Sequence, residues 1–325
     1  MKSVTKNELL QLTICKQLYL NKQLSSPELS EKIGKSLPST IKLLGELIAA
    51  EKVQEMGFGH STGGRRPMLY ALVPDGSLIL SVAMNHLITR IALVNLRNEL
   101  VLPVEKISLP LYQNNCSLQQ LSDSLDRYLQ REPALRSRII GIGIGMPGFV
   151  DVKKGINYSF LPSKAGSLNN YLEKRLGVPV YIDNDSSLIA LAELRFGTAK
   201  ASKNAMVINI SWGIGLGMII NGELFRGHNG FAGEFSHLPL FSSDKMCGCG
   251  KTGCLETEAS LTVIAEQVRA GLQEGKVSAV RLLSADNDAD ICEKVFDAAL
   301  NGDRFCINIL SEVGYKIGKG LAILI

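Results

Sequence analysis

The chain has 325 residues, with 35 Lys/Arg against 31 Asp/Glu and a formal net charge of +4 at pH 7. That length exceeds what one hydrophobic core usually serves, so two or three domains are expected, and no apolar run approaches the roughly 18 residues that a membrane-spanning helix needs, so no membrane is expected as a partner. Charge is uneven: residues 1–72 hold ten Lys/Arg and six Asp/Glu, so the whole excess of four lies there, as in a nucleic-acid-facing module joined to a neutral one.

In that first stretch Leu10, Ile14 and Leu18 recur every four residues and predict one apolar stripe on a first helix. Ser25-Ser-Pro-Glu28 supplies an N-cap, an early proline and an acid, and so starts a second helix that buries Leu29 and Ile33 and stops at Gly34. A third begins after Ser36, with Pro38 in its first turn and Ile41, Leu44 and Leu47 expected inward. Val53–Met56 and Met68–Leu72 are β-prone runs around a glycine-rich tip carrying Arg65 and Arg66. Three helices and such a hairpin predict a winged helix-turn-helix over residues 1–72. Ser39, Thr40 and Lys42 of the third helix would enter a major groove of operator DNA, and Arg65 and Arg66 would meet phosphate or a narrow minor groove. A winged helix can also serve protein contacts alone, which composition does not decide.

After a turn-forming stretch, Val73-Pro-Asp-Gly-Ser77, strands and helices alternate. Leu78–Val82, Ile91–Leu96, Ile139–Ile144, Val178–Ile182 and Met206–Ile210 read as strands, with Leu118–Arg131, Leu168–Leu176 and Ser186–Leu194 as helices. This predicts an α/β second domain over residues 78–325, with two lobes. Asn184-Asp185 falls between a strand and a helix, at the carboxyl end of a sheet, where α/β proteins bind ligands.

His237, Cys247, Cys249 and Cys254 stand at H-x9-C-x-C-x4-C spacing, interleaved with Gly248, Gly250 and Gly253. Three thiolates and an imidazole suit a closed, tetrahedral structural Zn²⁺ site. Disulfides or free thiols are the alternatives. Seven cysteines and no signal-peptide pattern at Met1-Lys-Ser-Val-Thr-Lys favour the metal and a cytoplasmic location.

Glu234-Phe-Ser-His237 followed by Cys247-Gly-Cys249-Gly-x-x-Gly-Cys254-Leu-Glu256 resembles the signature of the ROK family (repressors, open reading frames and kinases), as do Gly141-Ile-Gly-Ile-Gly-Met-Pro-Gly148, Asn184-Asp185 and Gly213-Ile-Gly-Leu-Gly217, in the same order. The amino-terminal segment with Gly63-Gly-Arg65-Arg66-Pro67 is similar to the operator-binding domain of the family's N-acetylglucosamine and xylose repressors. The resemblance implies an actin-like ATPase fold of the sugar-kinase kind, and sugar contacts from Asn184, Asp185, Glu234, His237 and Glu256, with His237 serving metal and sugar through its two ring nitrogens. The family's kinases carry an acid and paired glycines in a first phosphate turn. Here Val82–Arg90 has neither, and Met84, His86 and Leu87 would obstruct phosphate; the second phosphate loop survives only in part as Ser211–Gly217. Asp185, in the position of the kinases' base, is then vestigial. Family members continue beyond the point where Ile325 ends this sequence, so a carboxy-terminally truncated second lobe is expected, with apolar Leu321–Ile325 covered by a partner subunit in a homodimer or homotetramer. The implied function is a sugar-responsive repressor with a catalytically silent sensor, binding operator DNA and a sugar or sugar-phosphate effector. A sugar kinase with an added DNA-binding domain is the alternative, and a phosphotransfer protein is a third candidate partner.

Overall fold

The computed structural model describes residues 5–59, 66–163 and 166–325. The chain divides into two compact units, Met1–Met146 with Val152–Asp183, and Pro147–Asp151 with Asn184–Ile325.

The first unit opens with α1 (Lys6–Asn21), β1 (Gln23–Ser25), α2 (Ser26–Ile33), α3 (Leu37–Ala49), β2 (Val53–Phe58) and β3 (Met68–Leu72). Thr5 and Ser25 each close a capping box, with Glu8 and Glu28 respectively, and Gly34 ends α2 at φ 62°, a conformation that suits glycine. The three strands pair antiparallel in the order β1-β3-β2. Between helices and sheet lies a core that includes Ile14, Leu18, Leu29, Leu44, Leu47 and Val53. The inward face of α3 differs from the expected one. Thr40, Leu43, Leu44 and Leu47 are buried, whereas Ile41 is 50% exposed.

The remainder of this unit is built on β4 (Leu78–Met84), β5 (Ile88–Asn95), β6 (Glu105–Ser108), α4 (Ser117–Arg131), α5 (Pro133–Arg136) and β7 (Ile139–Met146). After β8 (Val150–Asp151) come β9 (Ile156–Asn157), α6 (Leu168–Leu176) and β10 (Val180–Asn184). The sheet order is β10-β7-β4-β5-β6, with β4 parallel to β7 and antiparallel to β5. Leu78, Leu80, Val82 and Met84 alternate inward along β4, as the two-residue period of a strand requires. The amino-terminal module touches this sheet through Leu96, which packs on its core, and Tyr19, whose hydroxyl donates to Asn98 Oδ1 at 2.5 Å.

The second unit contains α7 (Asp185–Phe196), the antiparallel β11 (Ala205–Ile210), β12 (Ile214–Ile220) and β13 (Glu223–Phe225), and the helices α8 (Leu255–Ala259), α9 (Leu261–Gln273), α10 (Asp288–Leu300) and α11 (Arg304–Leu324). Gly215 and Gly217, read from sequence as a phosphate loop, lie in β12 beneath α7: a Cβ on Gly215 would stand 1.8 Å from Ser186 Oγ and one on Gly217 2.2 Å from Ala190 Cβ. Their task is close helix–sheet packing. Leu321 and Leu324, expected to need a partner subunit, pack against this unit's own core, while Ile323 is exposed. No described helix is long and apolar enough to cross a membrane.

The phase of α3 makes a direct prediction. Leu44→Ala should cost about 2–5 kcal/mol, the range for a buried leucine, and Ile41→Ala about 0.5 kcal/mol or less. Equal losses in denaturant unfolding would refute the observed phase.

Candidate functional site

Asn184, the last residue of β10, caps α7: its Oδ1 accepts the Ser187 amide at 3.0 Å and its Nδ2 donates to the Gly148 carbonyl at 3.2 Å. Asp185 Oδ1 accepts from the Ser186 amide at 2.8 Å and the Ser186 hydroxyl at 3.3 Å. A short 3₁₀ turn, Phe235–His237, places Glu234 Oε2 3.7 Å from His237 Nε2. Gly233 before it has φ +93°, and a Cβ there would lie 2.3 Å from the Leu216 carbonyl oxygen, so the turn admits only glycine. Glu256 sits in the first turn of α8 and accepts from the Ile214 amide and the Ser236 hydroxyl.

Three carboxyl groups are thus half-buried in the second unit, and burial raises all of them. Glu234 goes furthest, to about 7, through burial first and then the charges of Glu256 and Asp185. Burial lowers His237, helped by Lys251. A set of acceptors, one still holding its proton near neutrality, beside a neutral imidazole suits a ligand with several hydroxyls that each donate and accept.

The metal-binding candidates converge. His237, Cys247, Cys249 and Cys254 each bring a donor atom to within 4.8 Å of the others. Cys249 Sγ lies 3.7 Å from Cys254 Sγ, and Cys247 Sγ lies 3.4 Å from His237 Nδ1. A tetrahedron with bonds of about 2.3 Å to sulfur and 2.0 Å to nitrogen has edges of about 3.5–3.8 Å, close to these two separations, so the donor set is of the kind that could hold a metal ion. The loop is shaped by backbone bonds from Cys247 N to Lys251 O at 2.8 Å and Gly250 N to Cys247 O at 2.9 Å. Gly253, at φ +68°, would place a Cβ 1.9 Å from Phe241 O. Burial pushes the Cys254 thiol up to about 12, a shift that a bound cation would reverse.

The turn between β4 and β5 is closed on itself. Asn85 Oδ1 accepts the Leu87 amide at 2.9 Å and the Ile88 amide at 2.7 Å, while the carbonyls of His86 and Leu87 accept from Leu111 and Leu109. The His86 ring packs edge-on to Tyr112 at 4.9 Å and against Phe160 at 5.5 Å. The Leu87 and Ile88 amides, which could otherwise face a phosphate, are therefore already used.

The groups assigned to DNA fare unequally. Lys42 and Arg66 are exposed and Ser39 is half-buried; Arg65 falls outside the described residues. Thr40 is a correction: it is 0% exposed, and its hydroxyl donates to the Ser36 carbonyl at 3.1 Å, so it faces the core and cannot reach a groove.

Residues 89–325 match the ROK family. The chain belongs to it. Among curated relatives, the xylose repressor of Caldicellulosiruptor bescii is 31% identical over 97% of this chain and 79% of its own length. Among solved structures, a ROK family transcriptional regulator described as a homolog of E. coli MLC superposes with a TM-score of 0.76 at 28% identity, covering 97% of this chain and 80% of that one. A ROK family glucokinase from Streptomyces griseus, in complex with glucose and AMPPNP, gives 0.63 at 26% identity, covering 76% and 79%. Repressors and sugar kinases of the ROK family thus share this fold.

In this ROK chain sequence reasoning passed over Phe149, whose ring stacks on His237 at 5.3 Å and 27° and meets Phe231 edge-on at 6.1 Å. Its one signal is an aromatic directly after Met146-Pro-Gly148. The Ile214 amide that serves Glu256 leaves no signal, because any residue supplies a backbone donor.

Burial of His86 in its aromatic cluster lowers its pKa to about 4. The unfolded chain takes that proton from about pH 6.5 downward, so stability falls as pH drops from 6.5 toward 4. His86→Phe keeps the ring packing and should lose on the order of 2 kcal/mol less than wild type between pH 7 and 4.5. Parallel pH profiles in denaturant unfolding would contradict the buried, neutral imidazole.

Proposed function

We propose that the chain is a sugar-responsive transcriptional repressor that works in the cytoplasm as a homodimer or homotetramer. Residues 1–72 form its winged helix-turn-helix and bind operator DNA through Ser39, Lys42, Arg65 and Arg66; residues 78–325 form a catalytically silent sensor. Asn184, Asp185, Glu234, His237 and Glu256 contact a sugar or sugar-phosphate effector. His237, Cys247, Cys249 and Cys254 hold a structural Zn²⁺. The observation that carries the regulator reading over a kinase is the closed β4–β5 turn, where Asn85 occupies the amides of Leu87 and Ile88. Similarity over 97% of the chain to a xylose repressor and to a ROK regulator supports it further.

The mechanism follows from the acceptors. An effector's hydroxyls would donate to Asp185, Glu234 and Glu256 and so offset the burial, and after it the repulsion from Glu256 and Asp185, that raises Glu234. His237 would hold the metal through Nδ1, the nitrogen beside Cys247 Sγ, and so be kept in one tautomer with Nε2 toward Glu234. Effector then changes DNA affinity only if it binds two arrangements of the chain unequally.

Two tests follow. Metal analysis should find one Zn²⁺ per chain, and Cys249→Ser should lose both the ion and the thermal shift given by the best sugar; sugar binding that is normal in metal-free protein would refute the structural role. With ATP, Mg²⁺ and aldohexoses or N-acetylhexosamines, no phosphorylation is expected, whereas the sugar that raises the melting temperature should alter operator affinity in wild type and not in Glu234→Ala. Turnover that disappears in Asp185→Asn would replace the regulator by the kinase.

A further inference from the structure

We infer that Ile41 reads operator sequence by seating against the 5-methyl group of a thymine in the major groove. The inference rests on the DNA-binding reading of residues 1–72 and names a residue and a base contact within it.

With Thr40, Leu43, Leu44 and Leu47 turned to the core, the opposite stripe of α3 is Pro38, Ile41, Lys42 and Gly45. Ile41 is the large apolar side chain of that stripe, half exposed and without a structural task in the module's core. A β-branched side chain on a helix is held near one χ1 rotamer, so its outward carbons have little freedom to lose on contact. Beside it Lys42 is exposed and forms no ion pair or hydrogen bond with any described residue. One turn further, Gly45 has no atom within 4 Å of where a Cβ would be, so the helix presents bare backbone there and can approach a surface closely.

The partner must therefore be anionic along its rim and apolar at one small spot. A DNA duplex meets both demands: phosphates line the groove, and the thymine methyl is the apolar group on a base edge. Ser39 and Lys42, both polar, would border the contact. The hydroxyl of Thr40 has no part in it, being turned inward.

The test uses the full chain. A random duplex library selects an operator; each thymine is then replaced singly by deoxyuridine, which removes only the methyl group. Affinities are measured by fluorescence anisotropy for wild type, Ile41→Ala and Ile41→Ser. In each half-site one replacement should weaken wild type about fourfold, the worth of one buried methyl group, and leave both variants unaffected at that position. Wild type insensitive to every replacement, or variants as sensitive as wild type, would overturn the contact while the DNA-binding reading stands. Failure to select any sequence would overturn both. Should a variant melt early, the wild-type replacement series decides alone, since the contact requires a sensitive thymine.

Discussion

The imidazole of His237 is the point on which the second unit's chemistry turns. Its Nδ1 lies among the thiols, 3.4 Å from Cys247 Sγ, and its Nε2 lies among the carboxylates, 3.7 Å from Glu234 Oε2. Phe149 stacks on the ring face. Neither the metal loop nor the acid cluster can shift without moving the ring they share. The backbone permits this convergence at two glycines, Gly233 and Gly253, where any Cβ would collide with a carbonyl oxygen. The Cys/His loop is tied to the acid cluster by position, since Glu256 stands in the first turn of α8 two residues after Cys254.

Three half-buried acids in one region are a cost to the unliganded chain. Burial and like charge both raise Glu234, so the cluster sheds part of its repulsion by holding a proton. A polyhydroxyl ligand would offer a better resolution, since each hydroxyl could donate a further hydrogen bond to a carboxylate. The same site would reject an analogue lacking one hydroxyl, because the vacated carboxylate would remain desolvated and unpaired. Affinity for the right ligand and rejection of the wrong one would then have the same source, the burial and mutual repulsion of the acids.

How much of this was legible depends on whether a residue's task is local. Ser25–Glu28 and Gly34 mark the ends of α2 through short-range hydrogen bonds that a sequence displays directly. The gathering of His237, Cys247, Cys249 and Cys254 is legible because four such donors at close, fixed spacing suit one candidate metal site. The phase of α3 was not: Ile41, Leu44 and Leu47 drift about 60° at each step of three residues, so one end of that series must leave the core stripe. The stripe that holds runs through Thr40, Leu43, Leu44 and Leu47, and it includes a threonine whose hydroxyl is satisfied by its own helix. Gly215 and Gly217 are a different case. Glycine marks close approach, and sequence does not say whether phosphate or a helix approaches; here it is α7.

The junction inside the first unit sets how a signal could pass to residues 5–72. Asn95 is buried, and its Oδ1 accepts from the amides of Arg97 and Glu99, at 2.9 and 3.1 Å, while its Nδ2 donates to Glu99 and Asp75. These bonds hold the turn after β5 in one shape, with Asn98 at φ 63°, and Asn98 receives the Tyr19 hydroxyl. Leu96, from the same turn, packs on the core of the helical module. A turn so fully bonded does not bend gradually. The Tyr19 bond and the Leu96 contact thus both depend on this one turn. A change in that turn would be felt at both contacts, and an effector could bring it about only by binding the two arrangements unequally.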